Sequence, residues 1–234
     1  MSKYNLSFIS DENLVQEVEN VLRKVAEATE KVEIKLYNNK VDPFSAAFDS
    51  IRQKMSIEEW FEQEKVRQIQ KSMQNAVGDF HQAVLGHVDG WSDLKVGGIA
   101  DLRNNERKIV AEVKNKFNTT KGNHKKVIYD DLEVLISTLG NDYTGYYVEI
   151  IPSTKKPYDK PFVPSDNVTK QRRPENEHIR VIDGKSFYAL VTGEEDALRK
   201  LYNVLPTVIS DVLQNKSFEI DSEDLGALFE KVYE

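Results

Sequence analysis

The sequence predicts an α/β protein in which helices flank a mixed sheet, with further helices added at both ends. Three observations lead to this class. Apolar residues recur every three or four positions along two long N-terminal stretches, as in amphipathic helices. Two strand-like stretches then meet at a short polar turn, and a third, rich in Tyr, Val and Ile, follows the next helical stretch. With 234 residues, the chain is long enough to bury a substantial core.

The first helical stretch begins at Ser10 or Asp11, either of which is a favourable N-cap. Its apolar stripe indicates a contact with the core or with another helix, and a dimer surface is the alternative. A loop over residues 38–43 ends the stretch, and Phe44–Met55 is predicted to form a short helix. The stripe consists of Leu14, Val18, Val21, Val25, Ala28 and Val32.

A second long helix is predicted over Ile57–Leu85, and the turn-rich segment Gly86–Trp91 connects it to the first strand. His81 lies on this helix. A lone helix histidine is more often a hydrogen-bonded structural group, which we favour here, than a contact to a metal site or a phosphate.

Two strands are predicted next, over Leu94–Arg103 and Lys108–Val113. The link between them, residues 104–107, is short and polar, and its Asn-Asn pair tolerates a positive φ. A β-hairpin is therefore the expected connection.

Two carboxylates and a lysine are predicted to meet on this hairpin. Side chains alternate between the faces of a strand, so Glu112 and Lys114 point the same way while Val113 points into the core. Pairing of the strands would place Asp101 beside Glu112. Two adjacent acids raise each other's pKa unless a cation lies between them, and carboxylate oxygens suit Mg²⁺. Lys114 is placed to orient or deprotonate a water, so metal-assisted phosphodiester hydrolysis is the reaction that this trio fits best.

Residues 115–126 follow the trio directly and are predicted to form a loop that binds the DNA backbone. Hydroxyls, amides and lysines are the groups from which phosphate contacts are made. The alternative is a solvated, lysine-rich loop. The candidate DNA-binding residues here are Lys116, Thr119, Thr120, Lys121 and His124.

The sheet is completed by a helix over Lys125–Leu139, ended by Gly140, and by a strand over Tyr143–Ile151. Beyond them, Ile179–Ile182 is predicted as a short strand that is turned by Asp183-Gly184. Two C-terminal helices are expected over Glu194–Leu213, where Pro206 should kink or divide the helix, and over Ser222–Tyr233. 

The segment Pro152–His178 changes character, because it holds five of the seven prolines and shows no sustained periodicity. A loop of this length in a compact domain is usually functional or disordered. Arg and Lys read guanine edges well, so this loop is our candidate for entry into a DNA groove. A mobile basic loop that touches only phosphates, or nothing, is the alternative. Its candidate DNA-binding residues are Lys155, Lys156, Lys160, Lys170, Arg172 and Arg173.

Composition narrows the class of protein. The chain has no cysteine, so disulfides and thiolate metal sites are excluded. No apolar run approaches membrane-spanning length, and a cytoplasmic protein without a membrane partner is expected. The net charge of −7 argues against a uniformly basic surface, but basic residues concentrate at and after the trio. Seven Lys or Arg stand against one acid over residues 107–126, and six stand against two over residues 155–173.

Asp101 followed by Glu112-Val113-Lys114 resembles the D…(D/E)-x-K signature of the PD-(D/E)xK superfamily, metal-dependent nucleases that include most Type II restriction endonucleases. Ala100 stands where the signature usually has proline, a departure that many members share. The resemblance implies a restriction-endonuclease-like α-β-β-β-α-β core. It also implies Mg²⁺ as cofactor, with Mn²⁺ as a substitute, held by Asp101, Glu112 and the Val113 carbonyl.

Three segments resemble one family of restriction endonucleases, whose members cut GGNCC or GGWCC sites: residues 41–46, 78–82 and 111–122. This resemblance implies a double-stranded DNA substrate and a homodimer that presents one site to each strand. It also implies a host DNA methyltransferase as a functional partner.

One compact domain with three segments is expected. Residues 1–56 form an N-terminal helical region packed on the core, residues 57–151 form the nuclease core, and residues 152–234 hold the basic recognition loop and the C-terminal helices.

Two other functions remain open at this point. A repair or recombination nuclease of the same superfamily would carry an identical trio but cut at junctions or ends. A nucleic-acid-binding or assembly protein would keep the fold without cutting, and Glu112 and Lys114 would then form a surface ion pair worth well under ~1 kcal/mol.

Overall fold

The computed structural model describes residues 2–38, 41–95, 99–166, 168–214 and 222–234. The chain divides into two compact units. One contains the residues up to Val18 and those from Gly78 onward, and the other spans Glu19–Val77. Among the described residues, no helix is both long enough and apolar enough to cross a membrane.

The larger unit is built on a mixed sheet, which has six strands within the described residues. Their order across the sheet is β1-β2-β3-β4-β6-β5, with β3, β4 and β6 parallel and the remaining pairings antiparallel. The strands are β1 (Ser92–Asp93), β2 (Leu102–Asn104), β3 (Ile109–Lys116), β4 (Thr144–Ile151), β5 (Asp159–Pro161) and β6 (Ile179–Asp183).

The helices confirm the predicted fold class. In chain order, α4, β1, β2, β3, α5 and β4 reproduce the α-β-β-β-α-β core, and helices are added at both ends. The helices are α1 (Asp11–Glu30), α2 (Val32–Asn38), α3 (Pro43–Gln53), α4 (Ile57–Gly86), α5 (Gly122–Leu139), α6 (Gly184–Thr192), α7 (Ala197–Leu213) and α8 (Ser222–Tyr233).

Helix α5 forms the crossover between the parallel strands β3 and β4, and it packs on one face of the sheet. Its apolar face buries Ile128, Tyr129 and Leu132 in one cluster with Val110 and Tyr147 of the strands. Aromatic residues pack on the other face of the sheet, where the ring of Phe187 in α6 contacts those of Trp91 and Tyr146. Both faces of the central strands are therefore covered, and in β4 every residue from Gly145 to Ile150 is buried.

The first predicted strand is wrong in extent. Leu94–Arg103 contains only the start of β2, because the backbone bends over residues 99–101, while residues 96–98 lie outside the described residues. The hairpin between β2 and β3 is confirmed. Its positive φ falls at Lys108, at +54°, rather than in the Asn-Asn pair.

Four other element predictions change. Helix α5 begins at Gly122 and β3 continues to Lys116, so the predicted loop 115–126 shrinks at both ends. Of the two outcomes predicted for Pro206, division of the helix is wrong, because α7 continues through this residue. Helix α6 was not predicted, since Asp183-Gly184 has the sequence of a turn. The carboxylate of Asp183 caps this helix, and Gly184 is needed because a Cβ there would lie 2.3 Å from the Ile150 carbonyl oxygen.

The smaller unit consists of α2, α3 and the adjoining parts of α1 and α4. Leu36 and Trp60 lie in its interior, and Lys65 forms an ion pair with Glu33 across 2.8 Å. The break after Glu30 divides the predicted first helix into α1 and α2. Most of its apolar stripe is buried, as expected for a core contact: Leu14, Val18, Ala28 and Val32 are each at most 8% exposed.

Candidate active site

Backbone hydrogen bonds fix Asp101 beside strand β3, although it lies just outside β2. Its N–H donates to the Ala111 carbonyl over 2.9 Å, and its own carbonyl accepts from the Leu94 N–H over 2.8 Å. The carboxylate in turn accepts the Val113 N–H, with 2.7 Å between Oδ2 and N. The N–H and C=O of one strand residue point to the same side, so the Val113 carbonyl also faces the side of Asp101.

The structure brings the three predicted catalytic residues together. Glu112 and Lys114 extend from the same face of β3, and Lys114 Nζ lies 2.5 Å from Glu112 Oε1 and 4.0 Å from Asp101 Oδ2. Their side chains keep between 16% and 28% exposure, while Val113 between them is buried, as predicted. The single ammonium group of Lys114 is therefore within ion-pair distance of two partly buried carboxylates.

Both carboxylates are destabilised in their ionised forms. Burial raises the pKa of Asp101 above its usual value, and the nearby charge of Asp93 adds to this effect. Burial also raises the pKa of Glu112, and repulsion from Asp101 raises it further. The Lys114 ammonium opposes both shifts without cancelling them. The site therefore carries more negative charge than its single lysine neutralises.

The donor chemistry of this site suits a hard divalent cation. Within the described residues, no group of three Asp, Glu or His side chains converges there, so the protein offers two carboxylates rather than a closed cage. Mg²⁺ is usually bound by one or two carboxylates and keeps several waters, which matches this donor set. Asp101 and Glu112 are the residues that would hold such an ion, together with the Val113 carbonyl.

A second carboxylate–lysine cluster lies one strand away. Glu149 of β4 is the register partner of Lys114, and it is only 5% exposed. Its Oε1 accepts from Lys125 Nζ of α5 over 2.7 Å, and its Oε2 accepts from the Tyr158 hydroxyl over 2.6 Å. Lys125 Nζ also lies 5.2 Å from the centre of the Tyr147 ring.

The candidate DNA-binding residues after β3 lie together at the end of the strand. Lys116 is the last strand residue, and its carbonyl accepts from the Thr119 N–H and hydroxyl. Lys121 is the N-cap of α5, and His124 falls in the first turn of that helix rather than in a loop. The two side chains are exposed, and Thr120 is partly buried.

The segment 152–178 has more structure than predicted. It contains β5, which pairs with β6, and an antiparallel bridge between Ser165 and Arg172. Two ion pairs join the segment to α5: Arg173 with Asp130 at 2.6 Å, and Asp166 with Lys126 at 3.1 Å.

The six predicted side chains of this segment separate into different environments. Lys160 and Arg172 line one cavity with Lys125. Lys155 donates to the Glu230 carbonyl of α8 over 3.0 Å, and Arg173 bonds Asp130. Lys156 and Lys170 are exposed.

His81 has the structural environment that we favoured. Its Nδ1 lies 2.8 Å from the Tyr188 hydroxyl, and its ring meets those of Phe80 and Tyr188 edge to face. Desolvation lowers the pKa of His81 to about 4, so it is neutral near pH 7.

Sequence reasoning missed three site residues: Asp93, Glu149 and Lys125. Asp93 accepts from Gln82 Nε2 over 2.7 Å, and its charge acts on Asp101. Lys125 and Glu149 are 24 positions apart, and only the parallel pairing of β3 with β4 brings them beside the trio. Spacing along the chain carries no signal for such a pair.

The fold and the hairpin together define a restriction-endonuclease-like protein. A family model described as Eco47II restriction endonuclease matches residues 6–214. The chain belongs to the Eco47II restriction endonuclease family.

Two similar proteins have been named as restriction enzymes. The Type II restriction enzyme Eco47II of Escherichia coli is 44% identical over 226 residues, which cover 94% of each chain. The Type II restriction enzyme Sau96I of Staphylococcus aureus is 31% identical over an alignment of 239 positions, which covers all of this chain and 90% of that protein. No solved structure matches the chain.

Proposed function

We propose that this restriction endonuclease hydrolyses phosphodiester bonds of double-stranded DNA at a fixed sequence, with Mg²⁺ as cofactor. The observation that supports this best is the convergence of Asp101, Glu112 and Lys114 within 2.5–4.0 Å on one hairpin. Membership of the Eco47II family supports the substrate class. The resemblance in residues 41–46, 78–82 and 111–122 favours a GGNCC or GGWCC site.

Asp101, Glu112 and the Val113 carbonyl would hold the ion in this proposal. The bound ion supplies a Lewis acid that neutralises charge on the phosphate and lowers the pKa of a water. Mn²⁺, which also prefers oxygen ligands, is expected to substitute.

Lys114 positions the attacking water in this proposal. Its ammonium has three donors, and one of them now bonds Glu112. The remaining donors reach a water or a phosphate oxygen beside both carboxylates. As charge develops on the phosphate during attack, the ammonium stabilises that charge.

The DNA backbone is proposed to lie across the end of β3 and the start of α5. The hydroxyl and cationic side chains there are accessible and follow the trio without interruption, which suits contact with phosphates next to the cut. These contacts would come from Lys116, Thr119, Thr120, Lys121 and His124, with Lys155, Lys156, Lys160, Lys170, Arg172 and Arg173 on the segment 152–178.

A homodimer is part of the proposal, because cutting both strands of a two-fold symmetric site requires two active sites related by that symmetry. The apolar face of α3 supports self-association. Phe44, Phe48 and Ile51 lie four and three positions apart, so they share one helix face, and each is at least 75% exposed. In a host cytoplasm, such an enzyme requires a DNA methyltransferase that protects the same site.

The test is digestion of phage-sized duplex DNA by the purified protein in Mg²⁺. Discrete fragments are expected, and they should disappear in EDTA and with Asp101→Ala. Glu106→Ala is the matched control, since Glu106 is an exposed acid in the turn of the same hairpin and should leave the fragment pattern unchanged. Absence of cleavage by folded protein in both Mg²⁺ and Mn²⁺ would overturn the proposal. Sequencing the fragment ends gives the site.

A further inference from the structure

A cavity of about 490 Å³ begins at the carboxyl end of β4, the strand next to the trio, and extends past β6 to β5. Its walls come from α5, β5, β6 and the segment that follows β5. Glu149 forms part of its lining and is the register partner of Lys114. Adjacent strands lie about 5 Å apart, so the cavity begins next to the catalytic lysine.

The cavity carries surplus positive charge. Glu149 is the only acid of its lining within the described residues, and Lys125 neutralises it at 2.7 Å. Lys160 and Arg172 also line the cavity, and in the described part of the chain neither has a carboxylate within ion-pair distance. The neighbouring cations differ, because Lys126 and Arg173 bond Asp166 and Asp130.

The two cations without a carboxylate partner are exposed, and each extends from an ordered point of the chain. Lys160 lies in β5 with its Nζ 5.5 Å from the Tyr158 ring centre, and the hydroxyl of that ring is bonded to Glu149. The backbone of Arg172 is fixed by its bridge to Ser165. Cations grouped in a concave site attract an anion.

We infer that this cavity is a second anion site, which holds a phosphate of the DNA strand a few nucleotides away from the phosphate that is cut. Lys160 and Arg172 bind the phosphate, and Glu149 and Tyr158 are positioning residues, because Glu149 accepts from the hydroxyl of the ring that lies against Lys160. The inference rests on the proposed function, because it takes duplex DNA as the ligand. A free nucleotide or inorganic phosphate shares the same chemistry, and the test distinguishes these sources.

The first test measures the salt dependence of binding to a duplex that carries the mapped site. Ca²⁺ replaces Mg²⁺, and fluorescence anisotropy is recorded from about 50 to about 200 mM KCl. Arg172→Gln and Lys160→Gln should each weaken binding about fivefold and reduce the slope of log K against log salt by about 1. Lys108→Gln is the matched control, because this exposed lysine pairs with Asp142 at the opposite end of β3 and should keep the slope of the natural protein.

The second test removes the charge of single phosphates with methylphosphonates. At one position within a few nucleotides of the cut, the methylphosphonate should weaken binding by the natural protein as much as Arg172→Gln does. The same methylphosphonate should not weaken binding by the Arg172→Gln variant any further. The inference is overturned if DNA is cut but the variants keep the natural slope, or if no position shows this loss of additivity.

Two further experiments examine free ligands of the cavity and the Lys125–Glu149 ion pair. Calorimetric titration with a deoxynucleoside monophosphate or with inorganic phosphate should show no saturable binding, and tight binding abolished by Arg172→Gln would assign the cavity to a free ligand and overturn the inference. The double variant Lys125→Met/Glu149→Gln removes the ion pair as a unit. It should reproduce the weaker binding without loss of fold, as monitored by circular dichroism. If the natural protein cuts no duplex, the proposed function is overturned instead. Cleavage is measured on gels and binding by anisotropy, so the two failures are distinguishable.

Discussion

Two clusters that each join carboxylate and lysine side chains lie one strand apart, yet they differ in charge balance. At the hairpin, Asp101 and Glu112 share the single ammonium of Lys114, and the pKa of each acid is raised. In the neighbouring cluster, Glu149 has one lysine and one tyrosine hydroxyl as donors to its two oxygens. The first cluster has more carboxylates than cations, which suits the proposed metal site, whereas both oxygens of Glu149 in the second cluster accept a hydrogen bond.

We infer from the comparison that the number of donors for each carboxylate, rather than its burial, distinguishes the proposed metal site from the Lys125–Glu149 ion pair. Burial is similar or greater at the second cluster, since Glu149 is 5% exposed. Burial alone therefore does not identify the proposed metal site. A buried carboxylate with too few donors is destabilised in its ionised form, and a bound cation would relieve that destabilisation.

The largest effect is expected from Lys114→Met. This change removes the donor for the water and for the developing phosphate charge, so the single-turnover cleavage rate should fall about 10³-fold. DNA affinity should change only a few-fold, because one cation among many is lost. Rapid-quench cleavage and anisotropy measure the two quantities. Lys108→Met should cut normally, and a Lys114→Met enzyme with an unchanged rate would remove the distinction between the clusters.

The next largest effect is expected on the pH dependence of the cleavage rate, which reports on Asp101 and Glu112. Asp101 and Glu112 hold a cation only when ionised, and both have raised pKa values. Cleavage at subsaturating Mg²⁺ should therefore fall as pH drops through those raised pKa values, by up to about tenfold per pH unit for each carboxyl. More Mg²⁺ should restore the rate. A rate that stays constant down to the ordinary carboxyl pKa would contradict the surplus of negative charge.

Glu149→Gln tests the second cluster through stability. The change leaves the Lys125 ammonium, whose side chain is 25% exposed, without its carboxylate. We expect a loss of about 2 kcal/mol in the free energy of unfolding, since a hydrogen bond to a charged group is removed. Urea denaturation with and without Lys125→Met gives the coupling between the two residues. No coupling would show that the ion pair does not stabilise the fold.

Asp101→Asn should have the smallest effect on stability, and it should raise the free energy of unfolding where Glu149→Gln lowers it. Between the unfolded and the raised folded pKa, the folded state holds a proton that the unfolded state releases, so stability falls as pH rises through this window. The amide removes that cost and still accepts the Val113 N–H. In EDTA near pH 7, the variant should be more stable by about 1 kcal/mol, and the gain should vanish below the ordinary pKa of 3.8.

Mg²⁺ provides the control for that prediction. The ion should stabilise the natural protein and not the Asp101→Asn variant, because only the natural protein gains a ligand in the folded state. Equal stabilisation of the two would place the ion elsewhere.

Local patterns were enough to predict that Asp101, Glu112 and Lys114 meet, whereas the Lys125–Glu149 pair required the fold. Asp101, Glu112 and Lys114 lie on one hairpin, where alternation and short-range pairing determine which side chains meet. The partnership of Lys125 with Glu149 depends on the parallel register across α5, which spacing along the chain does not encode. Helix α6 was missed because its cap, Asp183-Gly184, is also the sequence of a turn.

The two ion pairs that join the segment after β5 to α5 affect the thermodynamics of the encounter with DNA. Arg173 and Asp166 connect the described part of this segment to α5 in the folded protein. An element that is already ordered does not fold during association, so it adds no folding contribution to the heat capacity change of association. That change should then reflect only the surface that the complex buries. The association rate should be limited by diffusion and orientation rather than by a conformational step.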